Sequence, residues 1–174
     1  MSAPETKSAQ GSPFWRFSLR FYRQAGVADA CIALQEQSGV DVNLLLYLLW
    51  RAIERRAFAA GEVQSIEDTI GPWRQATVIP LRGVRRALKA PPALVAAAAA
   101  EAFRTRIKAV ELEAERLQQE AMVELAVPSG AERPSPAAAA RASVAAYETI
   151  CARPFDRAAV ETLLAQFIAM TGGQ

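Results

Sequence analysis

Seven consecutive apolar positions, Leu44 to Trp50, follow directly on the polar Asp41-Val42-Asn43, and Arg51, Glu54, Arg55 and Arg56 close the run. A membrane-spanning helix needs about 20 predominantly apolar residues, so this stretch is too short to span. Leucines on every side of its first turns instead predict a helix enclosed by other helices. Asp41 is placed to cap that helix, its carboxylate accepting from the free amides of the first turn, and Gly61 to close it in the left-handed conformation. Asn43, polar at the buried start, requires hydrogen-bond partners inside the protein.

The flanking segments read as helices too. Behind Ser12 as N-cap and Pro13 as first helical residue, Phe14, Phe17 and Phe21 form one apolar strip and Trp15, Leu19 and Tyr22 an adjacent one, which predicts a well-buried first helix. A second helix is expected from about Val27 to Gln37, with Ala30, Cys31 and Leu34 inward and Gly39 ending it. Ser65 to Asp68 is a weak capping-box match ahead of Ile66 and Ile70, and Pro72 of "GPW" reads as the start of a new helix. From Pro72 to Lys89 the pattern is amphipathic. Projected at about 100° per residue, Arg74, Arg82, Arg85, Arg86 and Lys89 share a sector of roughly 120°, opposite Trp73, Thr77, Leu81, Val84 and Leu88. Pro80 removes one amide and is expected to kink the helix.

After "APPA" the sequence predicts one long helix, Pro91 to Ala126. Phe103, Ile107, Val110, Ala114, Leu117 and Ala121 recur at spacings of four and three, a seam flanked by Glu111, Glu113, Glu115 and Glu120 and by Arg104, Arg106 and Arg116. This spacing suits a coiled-coil-like contact, with either the bundle's own helices or the same helix of a second subunit. "VPSGAERPSP", Val127 to Pro136, is a connector rich in helix breakers. Two more helices, Ala137 to Cys151 and Asp156 to Met170, follow. The last carries Val160, Leu163, Leu164, Phe167 and Ile168 as a stripe that must fold back onto the bundle or dock on another protein. The expectation is an all-α protein, a compact multi-helix bundle with a long helix on its C-terminal side. Residues 1–11 read as a disordered tail, 12–126 as the bundle, 127–136 as the linker and 137–174 as a variable helical extension.

Composition narrows the chemistry. Hydrophobic residues make up 52% of the 174-residue chain, but many are alanines, which favour helix and bury little area each. The net charge of +2 does not by itself point to nucleic acid, because phosphate binding depends on clustered charge. The opening "MSAPETKSAQGSP" has no apolar core of a signal peptide, which predicts a cytoplasmic location. Cys31 and Cys151 stand alone and read as buried thiols. There is no histidine, so histidine-containing metal sites, Ser-His triads and Cys-His dyads cannot be built from this chain. Phosphate-loop and dinucleotide fingerprints are missing as well. Glu67 with Asp68, or Glu111 with Glu115, are the carboxylate pairs left for a hard metal ion, and each pair is commoner as solvated helix surface. No catalytic residue, metal ligand or cofactor is predicted.

Two classes of function remain open. One is a non-catalytic interaction or regulatory module, using the terminal helix or the basic face formed by Arg74, Arg82, Arg85, Arg86 and Lys89. Its partner is another protein or a second copy, with nucleic acid as the alternative. The favoured reading of the basic face in the free protein is a solvated or internally paired surface, as most charge stripes are. The other class is a small-molecule binder with a pocket lined by Trp15, Asn43, Tyr47, Trp50 and Trp73.

"FWRFSLRFY", "CIALQEQSGVDVNLLLYLLW" and "PWRQATVIPLRGVRRALK" together resemble a proteobacterial family of uncharacterised helical proteins, catalogued as a domain of unknown function. The resemblance covers about Pro13 to Glu124, and its most specific element is "GVDVNLLLYLLW" followed at a distance by "PWR". It implies an all-helical fold, brings no activity or cofactor, and makes the part after Val127 a variable extension.

Overall fold

The computed structural model describes residues 11–125 and 133–172, in which every regular element is helical. The helices are α1 (Pro13–Tyr22), α2 (Val27–Ser38), α3 (Val42–Ile53), α4 (Ala60–Trp73), α5 (Ile79–Ala87), α6 (Ala97–Val123), α7 (Pro136–Ile150) and α8 (Arg157–Thr171), with a π-helical turn, Arg74–Val78, joining α4 to α5. Most of Val127 to Pro136 and nearly all of residues 1–11 lie outside the described residues.

Helix α3 is the centre. Leu44, Leu45, Leu48 and Leu49 are fully buried and Leu46 nearly so, because α1, α6 and α7 pack around it. Asp41 caps it, its Oδ1 accepting from the Asn43 amide at 2.8 Å. At the other end the sequence reading is corrected. Arg55, not Gly61, takes the left-handed conformation with φ of 62°, held where its guanidinium donates to the carbonyls of Arg133 and Pro134. Gly61 falls in the first turn of α4, where Glu62 accepts from the Ala59 amide at 2.9 Å. The Ser65 to Asp68 match therefore lies inside α4 and caps nothing.

Pro72 is also inside α4, so "GPW" does not restart the chain; α4, the π turn and α5 run on as one helix from Ala60 to Ala87. The π turn has a local reason. Pro80 cannot donate to the carbonyl four residues back, and its ring crowds that carbonyl. The extra residue wound into the turn widens it, and the Ile79 amide reaches Arg74 O instead.

Helix α1 is half buried, not fully. Phe14, Phe17 and Phe21 are in the core, but Leu19 and Tyr22 are exposed and Trp15 lies partly open over Gly11. Gly11 has φ of +66° and an added Cβ would meet the indole at 2.4 Å, so glycine is required there. Helices α7 and α8 lie on the bundle: α7 against α3 and α4, α8 against α2. Tyr147, Leu163 and Phe167 share one apolar cluster with Phe14, Leu34 and Leu44. Asp156 caps α8 as its sequence position implies, and Ser135, read from the sequence as part of the linker, caps α7. Ser135 accepts from the Ala138 amide at 3.2 Å, and Asp156 from that of Ala159 at 2.9 Å.

Candidate partner-binding surface

The basic residues of the α4–α5 helix are held by carboxylates. Arg74 donates to Asp41 Oδ2 at 2.7 Å and to Glu67 Oε2 at 2.9 Å. Arg82 bridges Glu111 Oε1 at 3.1 Å, Glu115 Oε1 at 2.9 Å and Gln35 Oε1 at 2.7 Å. Arg85 closes on Glu111 as well, and the more exposed Arg86 meets Glu36 at 3.1 Å. Lys89 is exposed and has no carboxylate partner among the described residues. Four of the five predicted cations thus have carboxylate partners within the chain, Arg86 at the surface and the other three partly buried, which is the paired alternative left open by the sequence.

Asp41 gathers more than a cap requires. Its Oδ2 accepts from Arg74 and from Gln118 Nε2 at 2.9 Å, and its own amide donates to the Tyr147 hydroxyl at 2.8 Å. A carboxylate only accepts, so the Gln118 amide nitrogen must face it, and Gln118 Oε1 is left buried without a donor. Gln119 Nε2 donates to Asn43 Oδ1 at 2.8 Å, which answers the demand of that buried asparagine. Burial drives the Tyr147 hydroxyl well above the usual tyrosine range, so it stays neutral. Glu111 experiences two opposed influences: burial raises its pKa, but the hydrogen bonds from Arg85 and Arg82 more than reverse that and hold it low. Glu115 goes the other way, because its burial outweighs the attraction of Arg82.

The predicted aromatic pocket is divided among separate places. Tyr47 and Trp50 pack with Phe14 at ring separations of 5.5 and 5.2 Å, and Tyr47 approaches Phe58 at 6.2 Å, so they are core. Trp15 covers Gly11. Trp73 lies on α4, its indole nitrogen donating to Ala114 O at 3.0 Å. There it lines an apolar groove of about 360 Å³ with Ile70, Leu117, Ala121, Met122 and Leu125. The cysteines are free. Burial pushes the Cys31 thiol up to about 12, and burial together with Glu67 and Glu148 pushes Cys151 up to about 11, so neither is a ready nucleophile. No group of three acidic or cysteine residues suited to a metal ion occurs among the described residues. None of the described helices is long and apolar enough to cross a membrane.

The long helix α6, shorter at both ends than its sequence suggests, departs most from the seam reading. Its buried residues are Ala100, Glu111, Ala114, Gln118, Gln119 and Met122. Phe103, Val110 and Leu117 remain 44%, 51% and 43% exposed. The reason is geometric. On a helical projection Glu111, Gln118 and Met122 centre roughly 100° away from Phe103, Val110 and Leu117, and the arginines of α5 pull the carboxylate face inward. Phe103, Val110, Leu117 and Ala121 of the seam are consequently turned outward, ending at Trp73 and the groove, while Ala114 is buried and Ile107 half-buried. Glu111, Gln118 and Gln119 were not singled out as an inward set from the sequence, although Glu111 and Gln118 are seven residues apart on one face.

An all-helical bundle stitched by a buried carboxylate–guanidinium network, with an outward apolar strip on its longest helix, is the class of molecule these features define. The chain belongs to the family described as "Protein of unknown function (DUF2390)", which it matches over residues 13–122, from α1 to the last turn of α6. No curated protein and no solved structure matches it.

Proposed function

We propose that this protein is a non-catalytic, cytoplasmic interaction module whose working surface is the outward strip of α6, Phe103, Val110 and Leu117, with the Trp73 groove at its end. The observation that carries this reading is the orientation of α6: Glu111, Gln118 and Gln119 are buried along with Ala100, Ala114 and Met122, while Phe103, Val110 and Leu117 face out. Single exposed apolar side chains are ordinary, whereas an ordered strip on one helix beside an apolar groove is the usual mark of a protein-binding surface. The pairing of Arg74, Arg82, Arg85 and Arg86 with carboxylates supports a protein partner over nucleic acid, since those charges are already neutralised locally.

Photo-crosslinking side chains placed at Val110 and Leu117 in the native host test this, with Glu161 on exposed α8 surface as the control. Discrete protein adducts are expected at 110 and 117 and not at 161. Adducts no stronger at 110 and 117 than at 161 would remove this surface from consideration.

A further inference from the structure

The exposed strip of α6 is close to palindromic. Taken outward from Val110, Phe103 and Leu117 stand seven residues to either side, and Ala99 and Ala121 stand eleven to either side. Arg106 lies four residues before Val110 and Glu113 three after. All seven are exposed and project within a sector of roughly 80°. Reversal of the helix therefore places large against large, small against small, and the basic position against the acidic one.

Resting on the proposed interaction surface, we infer that its partner is a second copy of this chain, packed antiparallel along α6 with the two-fold axis at Val110. In that register Phe103 of one copy meets Leu117 of the other, beside Trp73 at the mouth of the groove. Ala99 meets Ala121, which lets the helix ends approach closely. Arg106, which has no carboxylate partner among the described residues, comes opposite Glu113 twice over, as the isologous symmetry of a dimer requires, and would share that carboxylate with Arg116 of the same helix, which already holds it at 2.6 Å. A parallel pair would place Arg106 and Glu113 of the two copies on opposite edges of the seam, where neither meets the other's charge, so charge selects the antiparallel arrangement. The contact extends over ~33 Å of helix, and the groove beside Leu117 gives each Phe103 ring an apolar place to insert.

Sedimentation equilibrium of the full chain should show a reversible dimer in the micromolar range. Arg106→Glu and Glu113→Arg should each weaken it about tenfold, which is ~1.4 kcal/mol for the two symmetry-related ion pairs together. The double swap should recover most of the loss, and all three variants should keep the wild-type circular dichroism spectrum, because the positions are exposed. In a Cys151→Ser background, Val110→Cys should oxidise to a covalent dimer while Leu112→Cys, on the opposite side of α6, should not. A monomer at every concentration, no rescue by the double swap, or cross-linking at 112 instead of 110 would each overturn the second-copy inference. An adduct to a different protein in the photo-crosslinking experiment, with the isolated chain monomeric, would overturn it and leave the interaction surface standing.

Discussion

Leu45 and Leu48 illustrate how strongly single side chains matter in a bundle rich in alanine. Both are fully buried on the central helix, with neighbours from several helices unable to collapse into a gap. Leu45→Ala or Leu48→Ala should cost about 2 to 5 kcal/mol in chemical denaturation, and an unchanged midpoint for both would be incompatible with α3 as the centre. Asp41 is the polar counterpart. The sequence shows its capping role plainly, since an aspartate before an apolar run satisfies free amides locally. Its ties to Arg74, Gln118 and Tyr147 are invisible there, because those partners are distant in sequence. Asp41→Asn keeps a cap oxygen but loses the charge that Arg74 faces. The expected loss is about 2 to 4 kcal/mol, far above the few tenths expected of a cap alone.

At the level of elements, the legible features were those governed by local chemistry. Ser12 with Pro13, Gly39, Asp41 and Asp156 bound their helices as such residues do. The misread features depend on tertiary forces: Arg55 takes the left-handed position that glycine normally fills, and α6 turns its carboxylates inward because α5 offers arginines. The α5–α6 pairing has a pH signature. Glu111 is held below the usual glutamate pKa, so its stabilising contribution is complete above that usual value and disappears as pH falls through the folded one. Glu111→Gln should therefore cost about 2 kcal/mol near pH 7, less than a fully buried pair because Arg82 retains Glu115 and both arginines are partly solvated. The gap to wild type should close on acidification. Glu115 has a raised pKa, so its ionisation subtracts stability as pH rises past the unfolded value, and Glu115→Gln should be neutral or stabilising at pH 7. Thermal melts of both variants from pH 3 to pH 7 decide the signs, and a larger loss for Glu115→Gln than for Glu111→Gln would contradict the network.

For the whole molecule, the position of α7 and α8 determines how it unfolds. Tyr147, Phe155, Leu163 and Phe167 belong to the same apolar cluster as Phe14, Leu34 and Leu44, and the Phe58 amide donates to Ser143 Oγ at 3.0 Å. Calorimetry should show one transition for α1–α8, and a chain ending at residue 132 should lose its sharp melt and bind hydrophobic dye through the uncovered faces of α2, α3 and α4. Two separate transitions in the full chain would mean that the terminal helices form an independent unit. Proline and serine around residue 130 signal a break in the helix, but a break in secondary structure does not reveal whether the core continues across it.

The π-helical turn at Arg74–Val78 sets the phase of everything that follows it. It winds five residues through nearly the rotation that four take in an α-helix, so it acts as a one-residue insertion that leaves α5 in the phase of a helix one residue shorter. Removing the exposed Gln75 while the turn closes to a plain α-helix would therefore keep Arg82 and Arg85 near Glu111, the ring of Pro80 crowding the carbonyl behind it being the remaining cost. Deletion of Gln75 combined with Pro80→Ala should melt close to the wild type, whereas an alanine inserted between Val78 and Ile79 would rotate α5 by about 100°, separate Arg82 and Arg85 from Glu111 and melt earlier. The stretch between Trp73 and Arg82 should thus lose a residue more readily than it gains one.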